Sequence, residues 1–131
     1  MEYFEIASEA ESSADFRRVL WTGEHTQLVV MTIPPGGEIG LETHEHNDQI
    51  LHFLSGAGEA FVGGETRPVV HGDLVIVPAG TEHNFTNTGP NPLVLTTVYG
   101  PPDHADGVVH HTKEEADAAE SAGLDESPSA G

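Results

Sequence analysis

Cysteine is absent from this chain, which excludes a disulfide framework, a thiolate metal ligand and a catalytic thiol together. Basic residues are nearly absent as well. Arg17, Arg18, Arg67 and Lys113 stand against 22 Asp and Glu, for a formal net charge of −18. A surface of that sign repels nucleic-acid phosphates and anionic membranes, so neither is an expected partner. The acidic residues are dispersed and lysine occurs once. That pattern sets the expectation of a halophilic protein, whose self-repulsion is screened at high ionic strength; an acidic protein of a mesophile is the alternative. No apolar run approaches the ~20 residues a membrane span needs. The opening Met1-Glu2-Tyr3-Phe4-Glu5 has neither a basic nor an apolar leader segment, so no signal peptide and a cytoplasmic location are expected.

What is present points to one all-β domain. The chain has 131 residues, 37% of them hydrophobic, with 15 Gly and 9 Pro, enough to bury a core while turning often. Strands are expected over 16–21, 28–33, 39–44, 49–54, 59–62, 65–70, 74–77, 84–86 and 93–99. Each is bounded by Gly, Pro, Asn or Asp, and Gly63-Gly64 marks a tight hairpin. Short strands at this spacing read as a sandwich or barrel. Further on, Thr112 and Glu115 fit a capping box that opens a helix, and Gly123 fits its stop. The division is therefore an acidic, loosely attached arm (1–14), a barrel (15–111), a C-terminal helix (112–122) and a disordered tail (123–131). There is no internal repeat.

Two spaced motifs carry the chemistry. The first is Gly36-x5-Glu42-x-His44-x4-Gln49-x6-Gly56, and the second is Gly72-x5-Pro78-x-Gly80-x2-His83-x3-Asn87. Glu42 and His44 are two apart, so on a strand they leave the same face about 6–7 Å apart, close enough to converge on one ion. Gln49 has the wrong parity for an uninterrupted strand from His44, so a bend is needed over 45–48. Beyond that bend Gln49, Leu51 and Phe53 share one face. His83 follows the turn at Gly80, which can aim it inward.

The two motifs resemble the signatures of the cupin superfamily, usually Gly-x5-His-x-His-x3-4-Glu-x6-Gly and Gly-x5-Pro-x-Gly-x2-His-x3-Asn. The second matches at every defined position. The first keeps every interval, with Glu42 where the first His is expected and Gln49 where the Glu is expected. The resemblance implies a single cupin barrel, a double-stranded β-helix or jelly roll, with a short C-terminal helix. It also implies one divalent metal ion held by Glu42, His44, Gln49 and His83. Two imidazole nitrogens and two oxygens suit Mn, Fe, Co, Ni or Zn, with one or two positions left for water or substrate. Glu42 is also the candidate catalytic base, or a partner that orients a ligand instead of binding the metal.

The stretch from about Leu20 to Ala119 further resembles small single-domain cupins often labelled mannose-6-phosphate isomerase-like, through Gly37 to His44, Asp48-Gln49 and Pro101 to Lys113. Arg67 and Lys113 are the basic residues near the motifs, which leaves little to hold a phosphate. The expected function is that of a metalloenzyme of dioxygenase, isomerase or lyase type on a small organic molecule. The alternatives are a non-catalytic cupin that binds or senses a small ligand, or a sugar-phosphate isomerase. A homodimer is expected, as is usual in similar cupins. His25, His46 and His52 read as exposed. His104, His110 and His111 fall in a loop after Pro101-Pro102, read as a surface loop, with a cap over the barrel mouth as the other reading.

Overall fold

The structure, a computed structural model, describes residues 1–127; residues 128–131, the end of the expected tail, lie outside the described residues. In chain order the elements are α1 (Ile6–Glu11), β1 (Arg17–Thr22), β2 (Gln27–Ile33), β3 (Asp48–Ser55), β4 (Ala57–Val62) and β5 (Glu65–Val70). Then come β6 (Leu74–Val77), β7 (His83–Asn87), β8 (Leu93–Gly100), β9 (Val109–His110) and α2 (Lys113–Ser121). They form an antiparallel six-stranded sheet, β6-β3-β8-β2-β1-β9, and a three-stranded sheet, β5-β4-β7. This is the expected all-β jelly roll with a short C-terminal helix.

Alternation builds the core. On β3, Gln49, Leu51 and Phe53 are buried while Asp48, Ile50 and His52 are exposed, the period-2 pattern of a strand with one face inward. Phe53 meets Phe85 of the facing sheet with ring centroids 5.8 Å apart, and Met31, Ile33, Leu93 and Leu95 complete the interior. Burying each such side chain stabilises the fold by roughly 1.5–3 kcal/mol.

β2 and β8 do not alternate: Val29, Val30 and Met31 are all buried, as are Leu93, Val94 and Leu95. Their outer face is covered by α1, where Ala10 packs with Val30 and Val94 and draws in Ile6, Leu20 and Leu54. Arg18 Nη2 also reaches Glu9 Oε2 at 2.9 Å. The loosely attached arm expected over 1–14 is therefore docked through a helix. Its apolar residues are too few for a visible periodicity, but they match a patch on the sheet.

Two further local readings differ. Residues 39–44 do not form a continuous strand. They run beside β7 through isolated bridges, Glu38 to Thr86 and Glu42 to His83, because Gly40 has φ +115° and gives its N–H to Asn84 Oδ1 instead of a ladder partner. The tail expected from residue 123 is tethered at Asp125, which bonds His104 and the Ala105 N–H. Thr112 caps α2 by accepting from the Glu115 N–H at 3.1 Å.

Gly56 ends the first motif for a steric reason. Its φ is +88°, and an added Cβ would lie 2.5 Å from the Pro92 carbonyl oxygen and 3.0 Å from Leu93 Cα. Both the backbone conformation and the contact exclude a side chain. Gly56→Ala is expected to lower stability by on the order of 2–3 kcal/mol in urea unfolding; a midpoint equal to that of the parent protein would contradict this account.

Candidate metal centre

The bridge between the 38–47 segment and β7 assembles the site. The Glu42 N–H donates to the His83 carbonyl at 3.0 Å and the His83 N–H to the Glu42 carbonyl at 2.9 Å, which sets the two side chains next to each other. His44, two residues on, stays on the same side, and its carbonyl accepts from the Gly80 N–H at 2.8 Å. Ligand atoms of Glu42, His44 and His83 all lie within 4.8 Å of one another. The imidazoles of His44 and His83 have centroids 5.2 Å apart. This cluster is able to hold a metal ion.

Gln49 is buried at the base of β3. Its Nε2 donates to Thr97 Oγ1 and to Tyr99 Oη, both at 3.1 Å, which fixes the amide and leaves Oε1 without a partner. The Tyr99 ring stands edge-on to His44, with centroids 5.6 Å apart, so Gln49 and the cluster share one contact network. His83 is oriented in the same manner. Its Nδ1–H donates to the Thr81 carbonyl at 2.8 Å, leaving the Nε2 lone pair pointing elsewhere.

The chemistry of these donors is tested by what they lack. Glu42 Oε1, His44 Nε2, Gln49 Oε1 and His83 Nε2 are all buried polar atoms with no hydrogen-bond partner among the described residues. Glu42 Oε1 and His44 Nε2 have only each other, at 3.5 Å, and leaving a buried polar atom unpaired costs about 1–3 kcal/mol, so the group needs a common explanation. Two carbonyl-type oxygens and two imidazole nitrogens of this kind fit a divalent cation.

The charges around the cluster are strongly coupled. Burial opposes ionisation of Glu42, but the facing His44 imidazole outweighs it and holds the carboxyl below its ordinary value. Burial likewise opposes the charged form of His44. Asp103 Oδ1 at 3.4 Å from Nδ1 and Glu42 Oε1 at 3.5 Å from Nε2 overcome that and push its pKa up to about 10. A cation that takes Nε2 therefore displaces a proton, and metal uptake is coupled to proton release. Asp103 behind Nδ1 supplies the carboxylate that orients a metal-binding imidazole. Burial raises the Tyr99 phenol well above its ordinary value, so it serves as a neutral hydrogen-bond group.

Asp103 comes from the segment read as a surface loop, and that reading is corrected here. His104 and His110 are buried, and the segment covers the barrel mouth. Gln27, fully buried on β2, pins it: its Oε1 accepts from the Asp103 and His104 N–H groups, and its Nε2 donates to the His104 carbonyl, all at 2.9–3.0 Å. His104 donates through Nδ1 to Asp125 Oδ2 at 2.7 Å and lies 3.5 Å from Asp103 through Nε2. His25, His46 and His52 are exposed, as expected, and His111 pairs with Asp15 at the surface.

Under this cap lies a polar cavity of about 110 Å³ lined by Glu42, His44, Asp103, His104, Asp125 and Arg17, with Glu120 at its rim. Arg17 was not singled out by the motifs. It sits on β1, where alternation with Val19 turns it inward, a signal that the strand assignment over 16–21 already carried. A larger, mostly apolar groove of about 480 Å³ runs between Phe16, Pro34, Pro35, Pro92 and Lys113. It contains none of the clustered donors, two of which, Glu42 and His44, line the smaller polar cavity instead.

Comparison with known proteins agrees with this fold. The family model described as Cupin domain matches residues 29–99. The protein YrkC of Bacillus subtilis is 44% identical over 111 residues, 80% of this chain and 60% of that protein; this chain thus spans less than two thirds of that relative. The crystal structure of BH2720 from Bacillus halodurans superposes with a TM-score of 0.89 at 41% identity, covering 90% of this chain and 94% of that one. The oxalate-binding protein of Thermotoga maritima is 34% identical over 68 residues, 52% of this chain and 56% of that protein. Among the described residues no helix is long and apolar enough to cross a membrane.

The tether from Asp125 yields a pH dependence. Burial would raise this carboxyl, but the hydrogen bond and charge of His104 and the Ala105 N–H lower it from 3.8 to about 2. Because the folded-state value is depressed, the stabilisation is complete above the unfolded value and is lost as pH falls from about 4 through about 2. Asp125→Asn is expected to cost on the order of 1–2 kcal/mol at pH 6–7, allowing for solvent screening. The gap should close toward pH 2 in paired denaturation curves; a gap independent of pH would refute the assignment.

Proposed function

We propose a metal-dependent function, because the chain belongs to the cupin family and its motif residues form a cluster able to hold an ion. In this reading one divalent ion is bound by Glu42 Oε1, His44 Nε2, Gln49 Oε1 and His83 Nε2, and the protein acts as a metalloenzyme on a small organic molecule. The observation that carries it is the approach of Glu42, His44 and His83 ligand atoms within 4.8 Å of one another, beside a Gln49 amide oxygen left without a hydrogen-bond partner. When bound, the ion would polarise a carbonyl or carboxylate oxygen as a Lewis acid. Glu42 lines the cavity, and a carboxylate that gives one oxygen to a cation keeps the other to accept a proton from the substrate. Asp103 holds His44 in register, Tyr99 and Thr97 hold Gln49, and the 101–110 segment excludes bulk water.

A second reading has its own support. The Thermotoga maritima relative is named for oxalate binding, and a non-catalytic cupin that captures a small ligand at the same ion would need no proton transfer. Turnover separates the two: a bound molecule recovered unchanged from the loaded protein favours capture. A sugar-phosphate substrate is disfavoured, because Arg67 and Lys113 lie away from the polar cavity. The proposed assembly is a homodimer through the outer face of β3 and edge strand β6, where Ile50, Leu74 and Ile76 are exposed. Light scattering at micromolar concentration in high salt should give a dimeric mass, and a monomeric mass would refute that assembly.

Metal content tests the ligand set. Elemental analysis of protein prepared without a histidine tag should give about one divalent ion per chain, a stoichiometry lost in His44→Ala and His83→Ala. His46→Ala should keep it. Full retention in both cluster variants would overturn the assignment, and loss in the His46 variant would show that side chain to be misplaced.

A further inference from the structure

Two cavities share a wall. The polar cavity of about 110 Å³ beside the metal cluster and an open groove of about 470 Å³ on the surface are both lined by Asp103 and Asp125. The groove runs between the bend at His46 and Asn47 and the Pro101-Pro102 turn, so these two carboxylates stand between it and the cavity. They are held in different ways. Asp103 is fixed to the barrel: its N–H and that of His104 donate to buried Gln27 at 3.0 and 2.9 Å. Asn47 Nδ2 also donates to the Pro101 and Pro102 carbonyls. Asp125 belongs to the segment after α2, residues 122–127. Helix α2 itself is seated on the core through Ala116, and the chain turns away from it at Gly123, where φ is +71°. Just beyond, Leu124 is 71% exposed and gives no apolar anchor. The segment is clasped to the cap by the Asp125 carboxylate, which accepts from His104 Nδ1 at 2.7 Å and from the Ala105 N–H at 2.9 Å.

We propose that residues 122–127 form a hinged strap that gates the polar cavity, with Gly123 as the hinge, the Asp125 carboxylate as the latch and the groove beside His46 and Pro102 as the way in. That a metal ion is what passes rests on the metal reading above; the strap stands on its own bonds. Charge-assisted hydrogen bonds hold the latch shut. Opening it gives carboxylate and imidazole to water, which replaces most of what they lose, so the net cost is modest. A segment with few buried apolar contacts opens locally at far less cost than the fold unfolds. The other walls of the cavity lack that freedom. Arg17 lies on a strand paired on both sides, with β2 and with β9. Glu42 is bridged to His83, and Glu120 is carried on the seated helix. An open strap joins the groove to the cavity that Glu42 and His44 line, and a closed one shuts bulk water out.

The test compares the whole chain with Asp125→Asn, which weakens the latch, and Glu120→Gln, which removes the same charge from the rim of the same cavity and leaves the latch alone. The probe is Co(II), followed by its optical absorption in stopped flow, with release measured into excess chelator. Removing a carboxylate lowers the attraction for a cation and by charge alone slows its association; a loosened gate does the opposite. Asp125→Asn should therefore take up Co(II) roughly tenfold faster, as the loss of one charge-assisted hydrogen bond implies, and release it faster by at least the same factor. Glu120→Gln should take it up no faster than the parent protein. Hydrogen exchange on the ion-free parent gives a second readout. The Ala105 amide, which meets the latch, should exchange through a local opening while the His104 amide, held by Gln27, stays protected. Uptake unchanged or slower in Asp125→Asn overturns the gate, as does equal acceleration in both variants. An Ala105 amide that exchanges only as slowly as those of β3 also overturns it. A parent protein that binds no Co(II) overturns the metal reading instead; local exchange at Ala105 then still upholds the strap, and its absence overturns that as well.

Discussion

Ligand atoms of Glu42, His44 and His83 gather within 4.8 Å of one another inside the sheet sandwich, and the Gln49 amide lies in the adjoining Tyr99 network. The Glu42 and His44 atoms have only each other, at 3.5 Å, while Gln49 Oε1 and His83 Nε2 have no partner among the described residues. Water cannot answer them as it would at the surface, and each unmet group costs about 1–3 kcal/mol. Such a cluster persists only if the backbone that carries it is over-determined and something external relieves it. The surrounding structure can be read as the means of holding those atoms. The Glu42–His83 bridge fixes two of them, Thr81 fixes the His83 tautomer, and Thr97 with Tyr99 fixes the Gln49 amide. For Gln49 and His83 the partners are spent on orientation and the ligand-type atom is the one left over.

The second layer comes from far away in sequence. Asp103 orients His44 from 59 positions along the chain (103 minus 44), His104 stands behind Asp103, and Asp125 anchors His104 from beyond α2 in the chain. Gln27 ties this cap to β2 with three hydrogen bonds to two adjacent residues. A cap held largely by polar contacts, with Val108 its apolar contact to the core, can differ in stability from the apolar sandwich below it. That difference is useful for a cavity that must admit a ligand and then exclude water.

What the sequence makes legible is whatever is local or periodic. Alternation placed Gln49 with Leu51 and Phe53 on the inner face, the Thr112–Glu115 pair marked the helix start, and the motif intervals brought Glu42, His44 and His83 into one group. What it hides depends on tertiary partners. The 39–44 segment has strand-like residues, yet Gly40 breaks its ladder because Asn84 offers a better acceptor. The 101–110 segment has loop composition, yet buried Gln27 supplies the hydrogen bonds that allow a polar segment to go inside. Helix α1 has too short an apolar stripe to announce itself, and the patch it covers is visible only once β2 and β8 are side by side. Arg17 lies outside both motifs, and only the strand assignment over 16–21 carried a signal for it. The strand period separates it from Arg18, sending Arg18 outward to Glu9 and Arg17 inward.

Charge balance then connects the two halves of the site. Counting imidazoles as uncharged, Glu42, Asp103, Glu120 and Asp125 bring four negative charges to the cavity and Arg17 one positive charge, a net of −3. Without a cation, the proton that His44 retains up to a pKa of about 10 offsets part of the excess. A divalent ion that displaced that proton would leave a net of −1, so the cavity favours a cation over a proton by its charge as well as by its donors. The same excess couples metal to pH: acidification returns protons to the carboxylates and imidazoles and weakens the hold on a cation.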